Sequence, residues 1–130
     1  MNQEQLKERT KQFALRVIRM TEAMPQSRSG NIIAHQLLRS GTSVGANYRS
    51  ACRARSRPDF ISKIGIAIEE ADESQYWMEL SVEAGIFPRA KTQELINEAD
   101  ELIAILTAST QTAKRHQINQ QSAIQNGVGA

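Results

Sequence analysis

The sequence Leu37-Leu-Arg-Ser-Gly-Thr-Ser-Val-Gly-Ala-Asn-Tyr-Arg49 combines helical periodicity with a run of small residues. It lies within a longer segment, residues 31–55, whose apolar positions recur at helical spacing. Glycine in a helix interior costs about 1 kcal/mol relative to alanine, so the run predicts either a break in the helix or a thin helix face. Because Gly41 and Gly45 are four residues apart, they would share one side of a helix. We favour the thin face, which lets another backbone approach closely.

Three further segments show the same periodicity. Residues 3–24, 58–85 and 88–115 place apolar side chains every three or four positions, which is typical of a helix with one buried face. Four helices with short connections favour antiparallel neighbours. The sequence therefore predicts an all-α fold, an antiparallel up-down-up-down four-helix bundle over residues 1–115. A polar, flexible C-terminal tail is predicted over residues 116–130.

Prolines and capping residues set the predicted boundaries. Pro25 ends the first helix, residues 26–30 read as a loop, and Pro88 begins the fourth helix. Ser56 is a favoured N-cap for a third helix that begins near the next proline. Gly85 suits the C-terminal cap of that third helix.

The formal net charge of +2 conceals a strong asymmetry along the chain. Residues 31–57 carry five arginines and no acidic residue, whereas residues 58–87 carry one lysine and seven acidic residues. Arginine suits phosphate contact, so the basic ridge of the second helix is a candidate nucleic-acid surface. The alternative is that these arginines pair with acids of the third helix, within or between subunits. The candidate nucleic-acid-binding residues are Arg16, Arg19, Arg39, Arg49, Arg53 and Arg57.

Apolar side chains also lie outside the predicted core. On the third helix, Ile66, Trp77 and Leu80 fall within an arc of roughly 60° that points away from the buried face. Aromatic anchors are enriched at subunit interfaces, although scattered apolar surface residues are also normal. The second helix offers a shallow apolar surface beside its core positions. The candidate oligomer-interface residues are Leu38, Gly41, Gly45, Ile66, Glu73, Trp77 and Leu80.

Several classes of site find no support in the sequence. A single cysteine forbids an internal disulfide and a cysteine-based zinc cage. Neither histidine has a carboxylate at metal-ligand spacing, and no phosphate-binding loop or nucleophile elbow is present. We therefore expect a non-enzymatic protein with no catalytic residues, no cofactor, no metal and no small-molecule substrate. No apolar run approaches about 18 residues and the N-terminus is polar, so we expect a cytoplasmic protein without a membrane partner.

Three stretches of the chain together match the pattern of a known family. They are residues 37–49, quoted above, Arg55-Ser-Arg-Pro-Asp-Phe-Ile-Ser-Lys63 and Ile66-Ala-Ile-Glu-Glu-Ala-Asp-Glu-Ser-Gln-Tyr-Trp-Met-Glu-Leu80. Together they resemble the bacterial four-helix bundle family of intervening-sequence proteins, also called the S23 family. Members are encoded in insertions within large-subunit ribosomal RNA genes. The resemblance covers about residues 13–106, and its most specific element is an Arg-x-x-x-Ser-x-x-x-Asn pattern formed by Arg39, Ser43 and Asn47.

The resemblance implies a left-handed bundle that assembles into a ring, commonly a homopentamer. The chain is also similar to the accessory proteins of diversity-generating retroelements, basic pentamers thought to bind nucleic acid and a reverse transcriptase. This chain is less basic than those proteins. We thus expect a ring whose basic ridges bind RNA, DNA or an enzyme that acts on nucleic acid. The alternative is a purely structural homo-oligomer or protein-interaction scaffold that does not bind nucleic acid.

The residues of the pattern can also be interpreted physically. Ser43 and Asn47 lie one helical turn apart, so both could hydrogen-bond to a neighbouring helix. The sequence predicts a structural polar network of Arg39, Ser43 and Asn47 with Glu70 or Glu73 of the third helix, and not an active site.

Overall fold

The computed structural model describes residues 1–125 of the chain. These residues form four α-helices joined by short loops. Helix α1 spans Gln3–Ala23, α2 Arg28–Cys52, α3 Arg57–Glu83 and α4 Gln93–Gln125. A short 3-10 turn, Arg89–Lys91, precedes α4. Residues 1–125 contain no β-strand, and the predicted all-α fold is confirmed.

The helices pack as sequential antiparallel neighbours. Helix α2 packs most extensively, against α3 and α1, while α4 packs mainly on α3 and makes few contacts with α1. Every position predicted for the buried faces of α1 and α2 is buried, which confirms the helical periodicity. These positions are Leu6, Thr10, Phe13, Val17 and Met20 in α1, Met24 directly after it, and Ile33, Leu37, Val44, Tyr48 and Ala51 in α2.

Helix α3 begins and ends at the predicted caps. The Ser56 hydroxyl accepts the backbone N–H of Asp59 at 3.2 Å, and Pro58 lies in the first turn. Gly85 has a φ of 72°, a left-handed conformation that glycine adopts at no steric cost. Its N–H donates to the backbone carbonyl of Val82, and the N–H of Ile86 donates to the backbone carbonyl of Ser81. These two bonds form a Schellman motif, which satisfies carbonyl groups at the helix end.

The boundaries of α2 and α4 differ from the sequence prediction, and α2 ends at Cys52 instead of at residue 55. Helix α2 begins at Arg28 because the Ser27 hydroxyl accepts the N–H of Gly30 at 3.0 Å, so part of the predicted loop is the first helical turn. Helix α4 begins at Gln93, after the 3-10 turn, and continues to Gln125 instead of ending at residue 115. Its last turns contain good helix formers such as Lys, Arg, Gln and Ala. Residues 126–130 of the predicted tail lie outside the described residues, and the flexibility of the tail stays a prediction.

Helix α2 runs without interruption through its small residues, so of the two alternatives the thin face is confirmed. A Cβ added to Gly45 would lie 3.1 Å from Thr10 Oγ1, and Gly41 is buried against α1. The small residues therefore bring α1 and α2 of the same chain close together. Within residues 1–125, no helix is both long enough and apolar enough to cross a membrane.

Candidate functional site

A basic crevice lies between α1 and α2, where the two helices approach closely. Its volume is about 460 Å³. It is lined by Lys7 and Lys11 of α1, by Arg49 and Gly45 of α2, and by Arg53, which directly follows α2. The carboxylates of Glu4 and Glu8 also border the crevice, so cations outnumber acids by four to two.

Most of the crevice cations have no acidic partner. Lys7 forms an ion pair with Glu4 at 3.0 Å. Lys11, Arg49 and Arg53 form no ion pair with any of residues 1–125. Both arginines are exposed. Two arginines one helical turn apart therefore remain able to contact an anion.

Arg39, in contrast, is held by α3. Its Nη1 lies 3.1 Å from Glu70 Oε2, and its Nη2 forms a second ion pair with Glu73. The hydrogen bond from Arg39 lowers the pKa of the Glu73 carboxyl, against the opposing effect of burial. These contacts show Arg39 in the predicted polar network with Glu70, joining α2 to α3, rather than in the crevice.

The other members of the predicted network bond within their own helix. The Ser43 hydroxyl donates to the Arg39 carbonyl at 2.6 Å, and Asn47 Nδ2 donates to the Ser43 carbonyl at 2.8 Å. The expected bond from Asn47 to α3 was wrong, because the amide reaches the preceding turn of α2. Gln75 of α3 is also bonded away from α2, because its Nε2 donates to Asp100 of α4.

A different pair of residues connects α2 and α3 through buried hydroxyls. Ser74 Oγ donates to Ser40 Oγ at 3.1 Å, and both side chains are fully buried. Sequence reasoning missed this contact. The available signal was a serine at a position where helical periodicity calls for a buried side chain.

The remaining predicted basic residues lie elsewhere. Arg16 and Arg19 line a separate cavity of about 290 Å³ between α1 and the region around Lys91. Arg57 lines a third cavity, at the end of the bundle. The structure therefore divides the six candidate arginines among separate places: Arg49 and Arg53 share the α1–α2 crevice, Arg16 and Arg19 share the second cavity, and Arg39 and Arg57 lie apart from both pairs.

The outer face of α3 and the adjoining surface of α2 retain exposed apolar groups. Ile66 is 42% exposed, Tyr76 is 56% exposed, and Leu38 of α2 is 37% exposed. Trp77 is half-buried against the core, with its ring packed edge-on to Tyr76 at a centroid distance of 5.0 Å. Its Nε1 donates to Glu73 at 3.3 Å.

The candidate interface residues thus divide into two groups. Ile66 and Leu38 are exposed on the surface, whereas Trp77 and Leu80 are half-buried and also support the core. Gly41 and Gly45 pack against α1 of the same chain, because their missing side chains admit Val17 and Thr10. Gly41 is buried there, so its assignment to a surface for a second subunit is wrong, whereas the assignment of Gly45, which is half-buried and borders the crevice, stays a prediction.

Metal-binding and nucleophilic chemistry find little support in the described part of the chain. No group of three His, Cys, Asp or Glu residues within residues 1–125 could hold a metal ion. Cys52 is half-buried next to the core. Burial raises the pKa of the neighbouring Tyr48 hydroxyl, and a hydrogen bond with Cys52 adds to this effect.

Comparisons with known proteins agree with this architecture. The model of the 23S rRNA-intervening sequence protein family matches residues 3–108. A crystal structure of a protein of unknown function from the S23 ribosomal protein family of Bacteroides thetaiotaomicron is similar to the chain, with a TM-score of 0.79 and 33% sequence identity. The match covers 85% of this chain and 99% of that one. No curated protein matches the chain.

Proposed function

The chain belongs to the 23S rRNA-intervening sequence protein family, and we propose that it is a non-enzymatic, ring-forming homo-oligomer that binds RNA or DNA through the α1–α2 crevice. The observation that carries the nucleic-acid part is the pair Arg49 and Arg53, which line this crevice without an acidic partner among residues 1–125. A pentamer is the assembly that the family resemblance favours. The cytoplasmic location expected from the sequence is part of this proposal.

The electrostatics of the crevice support phosphate as its ligand. An arginine presents a planar set of donors that fits two phosphate oxygens at once. Arg49 lies in the last turn of α2 and Arg53 is the residue that follows the helix, and both line the same crevice as Lys11 of α1. A nucleic-acid strand offers regularly spaced negative charges, which such a row of cations can follow without contacting the bases. The crevice therefore favours binding that depends little on sequence.

The outer face of α3 supports self-association. Ile66 and Tyr76 expose apolar area, and the half-buried Trp77 lies beside Tyr76. Burial of such a surface against a second copy of the chain would remove apolar area from water. The Arg39 ion pairs hold Glu70 and Glu73 within the subunit, so these acids are not left as isolated charges at the edge of this face.

The direct test of the nucleic-acid part is titration of labelled RNA and DNA oligonucleotides, single-stranded and duplex, at low salt. Wild type should bind at least one of them, and Arg49→Ala/Arg53→Ala should bind at least tenfold more weakly if both charges contact phosphates. Arg28→Ala/Arg115→Ala removes two exposed arginines outside the crevice and serves as the matched control. Absence of binding to every oligonucleotide, or equal losses in both double variants, would refute this function.

A structural scaffold without nucleic-acid binding is the second candidate. The observation that favours it is Arg39, the first residue of the Arg-x-x-x-Ser-x-x-x-Asn pattern, which is engaged in ion pairs to α3. On this account, the arginines of α2 serve packing and subunit docking only. The same titration distinguishes the two, since a scaffold would assemble normally and leave the oligonucleotides free.

A further inference from the structure

The cavity that Arg57 lines is at the end of the bundle where α1 and α3 begin. Its volume is about 830 Å³, which is within the range of about 300–1,000 Å³ typical of small-molecule sites. The start of α1, the loop between α2 and α3, and the later turns of α4 border this cavity, which is open to solvent. It is separate from the α1–α2 crevice and independent of the nucleic-acid proposal.

The inner surface of this cavity is apolar. Leu6 and Tyr48, both 3% exposed, belong to the bundle core and line the cavity. Phe60 of α3 and Ile105 of α4 are partly buried against the same core and also line it. An apolar molecular body would gain about 25 cal/mol for each Å² of apolar area buried here.

The polar part of the cavity is basic. Arg55, Arg57 and His116 line it, and its lining includes no aspartate or glutamate. Two acidic residues lie next to lining residues in the sequence, and both form ion pairs with lysines outside the lining: Glu4 pairs with Lys7, and Asp59 pairs with Lys63. The cavity is therefore complementary to a negatively charged group.

One basic group already lacks a partner. Arg57 Nη1 is buried, with less than 1 Å² accessible, and has no hydrogen-bond partner among the described residues. Arginine stays charged at all ordinary pH values, and a buried donor without an acceptor costs about 1–3 kcal/mol. Arg57 itself lines the cavity, so an anionic group bound there would place the opposite charge beside this guanidinium.

We propose that this cavity binds an anionic amphiphile, a single carboxylate or phosphate group on an apolar body. Arg57 holds the anionic group, with Arg55 and His116 beside it, and the apolar body packs on Leu6, Phe60 and Ile105. The sequence does not predict this site, because its residues come from all four helices and are far apart along the chain.

The test is isothermal titration calorimetry of the full chain with four probes, each below its micelle-forming concentration. The probes are decanoate, decyl phosphate, decyltrimethylammonium and inorganic phosphate. At least one of the two anionic amphiphiles should bind, and the tighter of the two identifies the headgroup. The cationic amphiphile and inorganic phosphate should each bind at least about tenfold more weakly. The first lacks the anionic group, and the second lacks the apolar body.

Variants locate the binding in the cavity. Arg57→Gln should weaken the anionic amphiphile about tenfold. Ala108→Trp should block binding by filling the cavity from the exposed surface of α4, whereas Ala104→Trp, on the same helix outside the cavity, should not. The proposal is overturned by equal binding of the anionic and cationic amphiphiles, by no binding of either anion, or by unchanged affinity in Arg57→Gln and Ala108→Trp.

Discussion

Gly41 of α2 lies directly against Val17 of α1. A Cβ added at Gly41 would be 2.7 Å from Val17 Cγ1 and 2.8 Å from Cγ2. Both residues are buried, and the β-branched Val17 side chain has little rotamer freedom with which to move away. The spacing of α1 and α2, and hence the shape of the basic crevice between them, depends on the missing side chain at this position.

Gly41→Ala should therefore destabilise the protein. Overpacking a well-filled core costs about 1–3 kcal/mol, and the helix propensity of alanine offsets about 1 kcal/mol of that cost. We expect the free energy of unfolding to fall by up to about 2 kcal/mol, as measured by denaturant titration at fixed protein concentration.

Gly65→Ala is the matched control on α3. A Cβ at Gly65 would have no neighbour within 4 Å, so only the higher helix propensity of alanine should affect stability. The free energy of unfolding should rise by about 0.5–1 kcal/mol. If both variants changed stability in the same direction, close packing at Gly41 would not be the cause.

The bidentate ion pair between Arg9 and Glu98 should stabilise the contact between α1 and α4, the least extensively packed neighbours. Arg9 Nε and Nη2 lie 2.8 and 2.7 Å from the two carboxylate oxygens of Glu98. Glu98→Gln should lower the free energy of unfolding at pH 7 by about 1–2 kcal/mol. Glu22→Gln, at an exposed position of α1, should have little effect.

The same pair gives a signed pH dependence. The hydrogen bond from Arg9 lowers the pKa of Glu98 below its ordinary value of 4.5, although burial opposes the shift. Its stabilising effect is fully present above pH 4.5 and is lost as the pH falls through the lower folded-state pKa. The difference in stability between wild type and Glu98→Gln should therefore shrink below pH 4.5. A stability difference that grew as the pH fell below 4.5 would contradict this prediction.

Substitution of the exposed Ile66 tests the proposed subunit surface. Wild type should sediment as an oligomer at micromolar concentration, and Ile66→Glu should shift it toward monomer, because the substitution places a charge in an apolar interface. Ile66 is preferable to Trp77, which also supports the core. Ile118→Glu, at an isoleucine of α4 that is 62% exposed, is the control. A wild type that is monomeric at this concentration would end the ring proposal.

Much of the fold follows from periodicity and capping, because both are local. The buried faces of α1 and α2 and the caps of α3 could be predicted from spacing and residue type alone. The start of α2 could not, since the serine that caps it lies in a stretch that also reads as a loop. The extension of α4 beyond residue 115 was missed because exposed polar residues leave no apolar periodicity to count.

The candidate site could be predicted only in part, because pairing across helices depends on register. The arginines of α2 share a ridge in the sequence, yet Arg39 meets Glu70 and Glu73 while Arg49 and Arg53 do not meet an acid within residues 1–125. Gly41 illustrates the same limit. Its small size predicts a close approach, but only the structure shows that the approaching helix belongs to the same chain.

The most direct test of the central claim is the salt dependence of nucleic-acid affinity. The logarithm of the association constant should fall linearly with the logarithm of salt concentration, with a slope of about −0.7 to −0.9 per phosphate contacted. If Arg49 and Arg53 each contact one phosphate, Arg49→Ala/Arg53→Ala should make this slope shallower by about 1.5, while Arg28→Ala/Arg115→Ala should leave it unchanged. A slope identical in wild type and Arg49→Ala/Arg53→Ala would contradict a phosphate-binding role for the α1–α2 crevice.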